Sequence, residues 1–208
     1  HPIAVAPGAD PPNVTGGTYN TDEDTAVALA GLTGALTDND GSETLTYRIS
    51  GVAPNASFTT GTNAGGGVWT FTRAELDAGL TYNPPAQADG TFNMVLEAIA
   101  TEDEGDTATN TANIQVIVAN DADAPTLTPG ASAIDEDQPA AVGAALTYAS
   151  TDPSEAISEV RITDIPAGST TNFTTSGAAV VTPVPGGFAI TGPEADIRAT
   201  VATLTVTP

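Results

Sequence analysis

The 208-residue sequence has 26 acidic residues, four arginines and no lysine, which gives a formal net charge of −22. A chain this acidic has no basic face for phosphate groups, which excludes nucleic acid as a partner and argues against anionic membranes. It has no cysteine, so disulfides cannot stabilise it. Because 40% of the residues are hydrophobic and occur in short patterned runs, we expect a folded chain rather than a disordered acidic tail.

The first predicted elements are short strands rich in Thr, Val, Ile, Phe and Tyr, with turn residues between them. In chain order they include "TLTYRI", "VWTFT", "FNMVLEAIA" and "ANIQVIV". In the last of these, alternate residues from Ala112 to Val118 share one face, as in a half-buried strand. The only stretch that resembles a helix is "RAELDAG", about one turn. About seven such strands in roughly 110 residues predict a β-sandwich.

Four aromatic residues fall in or beside these strands and are interpreted as core: Phe58, Trp69, Phe71 and Tyr82. An exposed Trp69 would instead suit a sugar- or peptide-binding platform. No apolar run approaches the roughly 20 residues of a membrane span, so direct membrane insertion is not expected. The sequence has no signal peptide and does not begin with Met, so we expect it to be part of a longer protein.

The sequence repeats itself at a spacing of 113 residues. Pro12 recurs as Pro125, "DED" at 22–24 recurs at 135–137, and Arg48-Ile49 recurs as Arg161-Ile162. Later matches drift in spacing but keep their order, which indicates tandem homologous domains. The predicted organisation is a linker from a preceding repeat, a complete sandwich, a second linker and an incomplete sandwich, at residues 1–12, 13–120, 121–125 and 126–208.

The second unit stops at Pro208, the counterpart of Pro84, and so lacks its last two strands. A sandwich with open edges exposes backbone donors and acceptors. We therefore expect a second chain or a later segment to complete residues 126–208, for example if another domain is inserted after Pro208. Proteolysis at this point would split the domain in the same way, and simple truncation is the other interpretation.

Acidic residues cluster at the predicted strand boundaries, around residues 22–24, 38–43, 102–106 and 120–123. A single cluster is explained by turn formation, which Asp and Asn favour, and overall acidity is explained by solubility. Four clusters in one sandwich favour calcium, which takes six to eight oxygen ligands in irregular geometry. The loop "DNDGSE" is not an EF-hand, because its glycine is in the fourth position rather than the sixth.

The order "E … DND … LTYRI … ATEDEG … NDADAP" resembles a cadherin repeat. The segments "LTDNDGSETLTYRISGV" and "TEDEGDTATNTANIQVIV" are similar to the cadherin-like extender repeats of bacterial RTX adhesins exported by type I secretion. The resemblance implies an all-β fold of tandem cadherin/immunoglobulin-like Greek-key sandwiches. Unit two departs from the pattern, since it keeps Asp152 but has Pro153 and Ser154 where the second acid belongs.

The resemblance also implies three sets of calcium ligands. The linker set is Glu23 with Asp22 or Asp24, then Asn120, Asp121, Asp123 and Asp152, with Glu155 as a further candidate. The set at the N-terminal end is Asp10, Asp38, Asp40 and Asp103. The set serving a junction after unit two is Asp135, Glu136 and Asp137.

The implied function is a calcium-stiffened spacer of a large adhesin on the bacterial cell surface, which projects distal modules for adhesion and biofilm formation. Its partners would be neighbouring repeats of the same polypeptide. A sugar- or peptide-binding module of the same adhesin is the alternative, as is a scaffold split by an inserted ligand-binding domain. An enzyme is not expected, because the single histidine is His1 and there is no cysteine for nucleophilic catalysis.

Overall fold

The computed structural model describes residues 8–38, 41–130 and 135–208. The chain divides into two compact units, His1–Asp121 and Ala122–Pro208. Unit 1 contains eleven strands and one short helix within its described residues. They are β1 (Asn13–Thr15), β2 (Gly17–Asp22), β3 (Val27–Ala28), β4 (Thr33–Ala35), β5 (Glu43–Ser50), β6 (Ser57–Phe58), β7 (Thr62–Gly65), β8 (Val68–Thr72), α1 (Arg73–Ala78), β9 (Thr81–Asn83), β10 (Gly90–Glu102) and β11 (Thr107–Ala119).

A six-stranded sheet forms one layer of unit 1, in the order β2-β11-β10-β5-β8-β7. Its centre is the long antiparallel hairpin β10–β11, which pairs from Gly90 opposite Val118 to Thr101 opposite Thr107. Strand β5 pairs antiparallel with β10 on one side and β8 on the other. Strand β2 pairs parallel with β11 at the edge.

The second layer consists of the sheet β3-β9-β6 and the pair β1-β4. Alternate residues of β5, β10 and β11 turn towards it and are buried, as strand geometry requires. Phe58 is central to the core, with Phe71 and Tyr82 about 5 Å away between ring centroids (5.2 and 5.3 Å). The expected core role of these three aromatic residues is therefore confirmed.

Helix α1 begins with a capping box. The Thr72 hydroxyl accepts a hydrogen bond from the Glu75 backbone, and the Glu75 carboxylate accepts one from the Thr72 backbone at 2.7 Å. The Thr72 backbone and the Thr72 hydroxyl both donate to the Glu75 carboxylate, which lowers the pKa of that carboxyl. A helix of this length is confirmed where the sequence predicted about one turn.

Unit 2 resembles unit 1 up to the equivalent of β9, although no counterpart of β2 is formed among its described residues and that of β3 is a single bridge, Ala140 with Val206. Its elements are β12 (Thr126–Thr128), a 3-10 helix (Gly143–Ala145), β13 (Thr147–Ala149), β14 (Glu159–Ile162), β15 (Thr170–Asn172), β16 (Val180–Val184), β17 (Gly187–Thr191), α2 (Glu194–Ala202) and β18 (Thr205–Thr207). The pairs β12-β13 and β15-β18 and the sheet β14-β17-β16 are formed. No described strand of unit 2 corresponds to β10 or β11.

The expectation that "RAELDAG" is the only helical stretch is wrong, because Glu194–Ala202 forms helix α2. The segment contains Thr and β-branched residues, which lower helix propensity. Tertiary contacts offset this: Ile197 and Val201 are buried, and Arg198 donates to the Tyr148 carbonyl at 2.7 Å.

The prediction of an all-β sandwich fold is confirmed in both units. Helices α1 and α2, the only α-helices in the part of the chain described, are each too short to span a bilayer.

Candidate metal centre

Two glutamates end the buried faces of adjacent strands in unit 1. Glu43 begins β5 two residues before Leu45, and Glu102 ends β10 two residues after Ala100. Because side chains alternate along a strand, both carboxylates point to the same side as the core. They lie directly opposite each other in the β5–β10 register and are 9% and 4% exposed.

Each of these carboxylates has a buried oxygen without a hydrogen-bond partner among the described residues. The atoms are Glu43 Oε2 and Glu102 Oε2. Like charges directly opposite each other in a sheet repel, and a buried carboxylate without compensating partners is costly. A cation beside the pair would offset both costs, and none of the four ion pairs in the described structure includes either residue.

Further acidic residues lie around this pair. The backbone of Asp10 donates to Glu43 Oε1 at 2.9 Å, and that of Ala9 donates to Asp106 Oδ2 at 3.1 Å. The turn of the β10–β11 hairpin holds Asp106 in place, since its carbonyl accepts from the Glu102 backbone at 2.9 Å. The N-terminal segment thus runs beside the acidic end of the sheet.

The structure brings some of the predicted N-terminal ligands to this end. Asp10 lies beside Glu43, and the Asp103 backbone donates to the Ser42 carbonyl at 3.1 Å, although the Asp103 side chain is exposed. Asp38 is also exposed, and Asp40 lies outside the described residues. The predicted set did not include Glu43, Glu102 and Asp106. The burial of the two glutamates could have been predicted, because Glu43 and Glu102 fall on the same alternating positions as the core residues Leu45 and Ala100.

The predicted linker ligands of unit 1 meet at its C-terminal end. Glu23 is 6% exposed, and its Oε1 accepts from the Asp121 backbone at 2.5 Å. Its own backbone donates to the Ala119 carbonyl, next to exposed Asn120. Asp24 turns away from this group, because both of its carboxylate oxygens accept from Gln87.

A separate acidic group forms within unit 2. The Asp123 backbone donates to Glu155 Oε1 at 3.0 Å. Asp152 is 1% exposed, and both its oxygens accept from Ser154, at 2.7 and 2.6 Å. Asp152 is therefore satisfied by a serine where the resemblance would place a second acid.

The residues predicted for the last junction form an exposed turn. Asp137 has a positive φ of 64°, as its counterpart Asp24 does at 54°. The Gln138 backbone donates to the Asp135 carbonyl, just as that of Thr25 donates to Asp22. The same turn at the same 113-residue spacing supports the internal repeat. Glu136 is exposed, whereas its counterpart Glu23 is buried against the end of β11.

Within residues 8–38, 41–130 and 135–208, no three acidic or histidine side chains already converge as a preformed metal site. The donor set nevertheless fits a hard cation, because it consists of carboxylate and carbonyl oxygens. The opposed Glu43 and Glu102 provide the observation that favours such an ion.

Trp69 is half-buried and packs edge-on against Phe58, with 5.5 Å between ring centroids. Its exposed side lines a surface cavity of about 540 Å³, together with Asn55 and Asn63. A sugar- or peptide-binding platform at Trp69 stays a prediction.

Comparison with family models finds no match, and neither does comparison with curated proteins. Among solved structures, the chain is similar to the human desmocollin-1 ectodomain, at 12% identity and a TM-score of 0.35 over 90% of this chain. It is also similar to extracellular cadherin domains 1–4 of protocadherin gamma B7, at 12% identity and a TM-score of 0.37 over 88% of this chain. The chain spans 32% and 41% of those two structures. At these values the similarities say nothing about ligands or partners.

Proposed function

We propose that this chain is a calcium-binding structural segment of a large extracellular bacterial adhesin. The observation that carries the calcium part is the buried, directly opposed pair Glu43 and Glu102, each with an orphan oxygen. The sequence resemblance to RTX adhesin repeats supports the wider role in a surface protein exported by type I secretion.

Calcium would offset the repulsion between the two carboxylates and satisfy their buried oxygens. Asp10 bonds Glu43 and Asp106 bonds Glu102, in both cases through the aspartate backbone, and their side chains would supply further oxygens. A divalent ion held by four carboxylates would also reduce the strong self-repulsion of a chain with a net charge of −22. The N-terminal segment, the start of β5 and the β10–β11 turn would then be held together by one ion.

In the proposed role, calcium stiffens the chain so that the repeats act as a spacer for adhesion and biofilm formation. The acidic residues around the linker 121–125 support this, because Asp121 and Asp123 each lie beside a glutamate of their own unit. This chain would then serve as a structural element rather than as a catalyst.

The test is calcium titration of the full chain after removal of divalent ions. We expect the wild-type chain to bind calcium and its melting temperature to rise with calcium concentration. The free energy of unfolding should increase by about 2.7 kcal/mol when calcium is at a hundredfold excess over Kd. The variant Glu43→Gln/Glu102→Gln keeps the shape of both side chains but removes the charge pair. Without calcium it should melt above the wild type, and by calorimetric titration it should bind at least one ion fewer.

The control variant Asp89→Asn/Asp164→Asn removes two exposed acidic charges elsewhere, so it has the same net charge as the glutamine variant. It should retain the wild-type number of bound ions. Magnesium should stabilise less than calcium, because it requires near-octahedral geometry. The calcium site is refuted if the glutamine variant binds as many ions as the wild type.

A further inference from the structure

Strand β14 of unit 2 is the structural counterpart of β5 in unit 1. Val160 and Ile162 pair with Ile190 and Phe188 of β17. Tyr47 and Ile49, which lie 113 residues earlier in the sequence, pair in the same way with Phe71 and Trp69 of β8. The two strands therefore occupy equivalent positions in register.

The two strands differ on their other edge. In unit 1 that edge of β5 pairs with β10 over eight residues. In unit 2 the sheet order is β14-β17-β16, so no described strand pairs with the second edge of β14. A strand edge of this kind presents unpaired backbone donors and acceptors.

An apolar groove lies beside this open edge. It has a volume of about 220 Å³ and runs between β12, β13 and β14, with Leu127, Leu146 and Val160 in its lining. Leu127 is 67% exposed, while its counterpart Val14 is half-buried against the core of unit 1. Strand β1, which carries Val14, contacts both β10 and β11. A hairpin equivalent to β10–β11, paired with the open edge of β14, would therefore lie over this groove and cover Leu127.

The charged residues on the open edge of β14 also indicate what kind of strand would pair with it. In unit 1, Arg48 of β5 pairs with Glu97 of β10 at 2.7 Å, directly across the register. Its counterpart Arg161 has only a neighbour in its own strand, Glu159, among the described ion pairs, and it remains 65% exposed. An acid on an incoming strand would meet Arg161 as Glu97 meets Arg48.

We propose that the open edge of β14 receives an antiparallel β-hairpin of the same polypeptide, with apolar residues facing Val160 and Ile162 and an acidic residue facing Arg161. The pattern is that of β10, in which Ala98 and Leu96 flank Glu97 opposite Tyr47 and Ile49. The hairpin's second strand covers Leu127, as β11 lies against β1.

The test extends the full chain after Pro208 with a second copy of residues 85–120, so that the loop from β18 has the length of the loop from β9 to β10. We expect hydrogen exchange of the β14 amides to slow at least about tenfold, because local opening then requires removal of a packed strand. The melting temperature of unit 2 should also rise. Calcium is held constant throughout, so the outcome does not depend on the proposed metal site.

A charge swap tests the register. Two single changes are made in the extended chain, one replacing the copied Glu97 with Arg and the other Arg161→Glu. Each should reduce the protection of the β14 amides from exchange about two- to fivefold. The two changes together should restore it, which a nonspecific effect of the added segment would not do.

Unchanged exchange of β14 in the extended chain would overturn the proposal. The proposal would also be overturned if the β14 amides of the unextended chain were already protected from exchange and this protection rose with protein concentration. The open edge of β14 would then pair with a second copy of the chain. Sedimentation of both chains separates these outcomes, and we expect each to be monomeric.

Discussion

At the scale of single residues, Tyr82 is fully buried, yet its hydroxyl has no hydrogen-bond partner among the described residues. Burial raises its pKa to about 12. Because an unfolded tyrosine titrates near pH 10, folding favours the neutral form. This contribution is complete below about pH 10 and is lost as the pH rises towards 12.

Tyr82→Phe should therefore stabilise unit 1, by about 1 kcal/mol, because it removes a buried polar group without a partner. It should also make stability fall less steeply between about pH 10 and 12. Urea denaturation at pH 7 and across that range measures both effects. Tyr19→Phe makes the same chemical change with the opposite expected sign, since the Tyr19 hydroxyl donates to the Ala30 carbonyl at 3.0 Å. Destabilisation by Tyr82→Phe would contradict the assignment of an orphan hydroxyl.

Which side chains form the core could be predicted from alternation along the strands. Ile114, Val116 and Val118 are buried on one face, as the pattern "ANIQVIV" indicates. The sequence predicts the acidic site less well, because the number of acids in a turn does not show which of their side chains are buried. Burial of Glu43 and Glu102 depends on which face each strand end presents, and on the register that places the two opposite each other.

At the scale of elements, α2 differs from α1 in how its arginine is used. Arg198 lies over the Tyr148 ring, 4.6 Å from its centroid, and bonds both Glu194 and the Tyr148 carbonyl. Among the described ion pairs, Arg73 in α1 has a single, exposed one, with Asp77 at 3.5 Å. The bond to Glu194 lies within the helix, but the contacts with Tyr148 come from β13. Helix propensity alone does not reveal these tertiary contacts, which is why sequence reasoning missed α2.

Arg198→Lys should destabilise unit 2 by about 1–2 kcal/mol, since lysine keeps the charge but loses the planar, multiply bonded guanidinium and its cation–π contact. Arg73→Lys is the matched control and should change unit 1 by less than about 0.5 kcal/mol, as expected for an exposed helix pair. Chemical denaturation followed by circular dichroism measures both. Equal effects of the two substitutions would show that the Tyr148 contact adds nothing.

At the scale of the whole molecule, the two units have very different cores. The buried core of unit 1 includes Met94, Leu96, Ala98, Ile114, Val116 and Val118 from the β10–β11 hairpin. Within the described residues, the core cluster of unit 2 has six buried residues and no equivalent of that hairpin. Since apolar burial is the main source of stability, unit 2 is expected to be the weaker one.

Scanning calorimetry of the full chain should therefore show unit 2 unfolding at a lower temperature than unit 1. Tyr82→Phe should shift only the upper transition and Arg198→Lys only the lower one, which assigns each transition to its unit. A single transition that both substitutions shift equally would contradict this expectation.

The parallel pairing of β2 with β11 has a mechanical consequence. Six residues of β2, from Gly17 to Asp22, lie alongside Ile114–Ala119, with both strands running in the same direction. Tension applied to the two ends of unit 1 pulls the start of β2 one way and the end of β11 the other. The hydrogen bonds between them are then sheared together rather than opened one after another, so the force needed to part them is shared across the whole ladder.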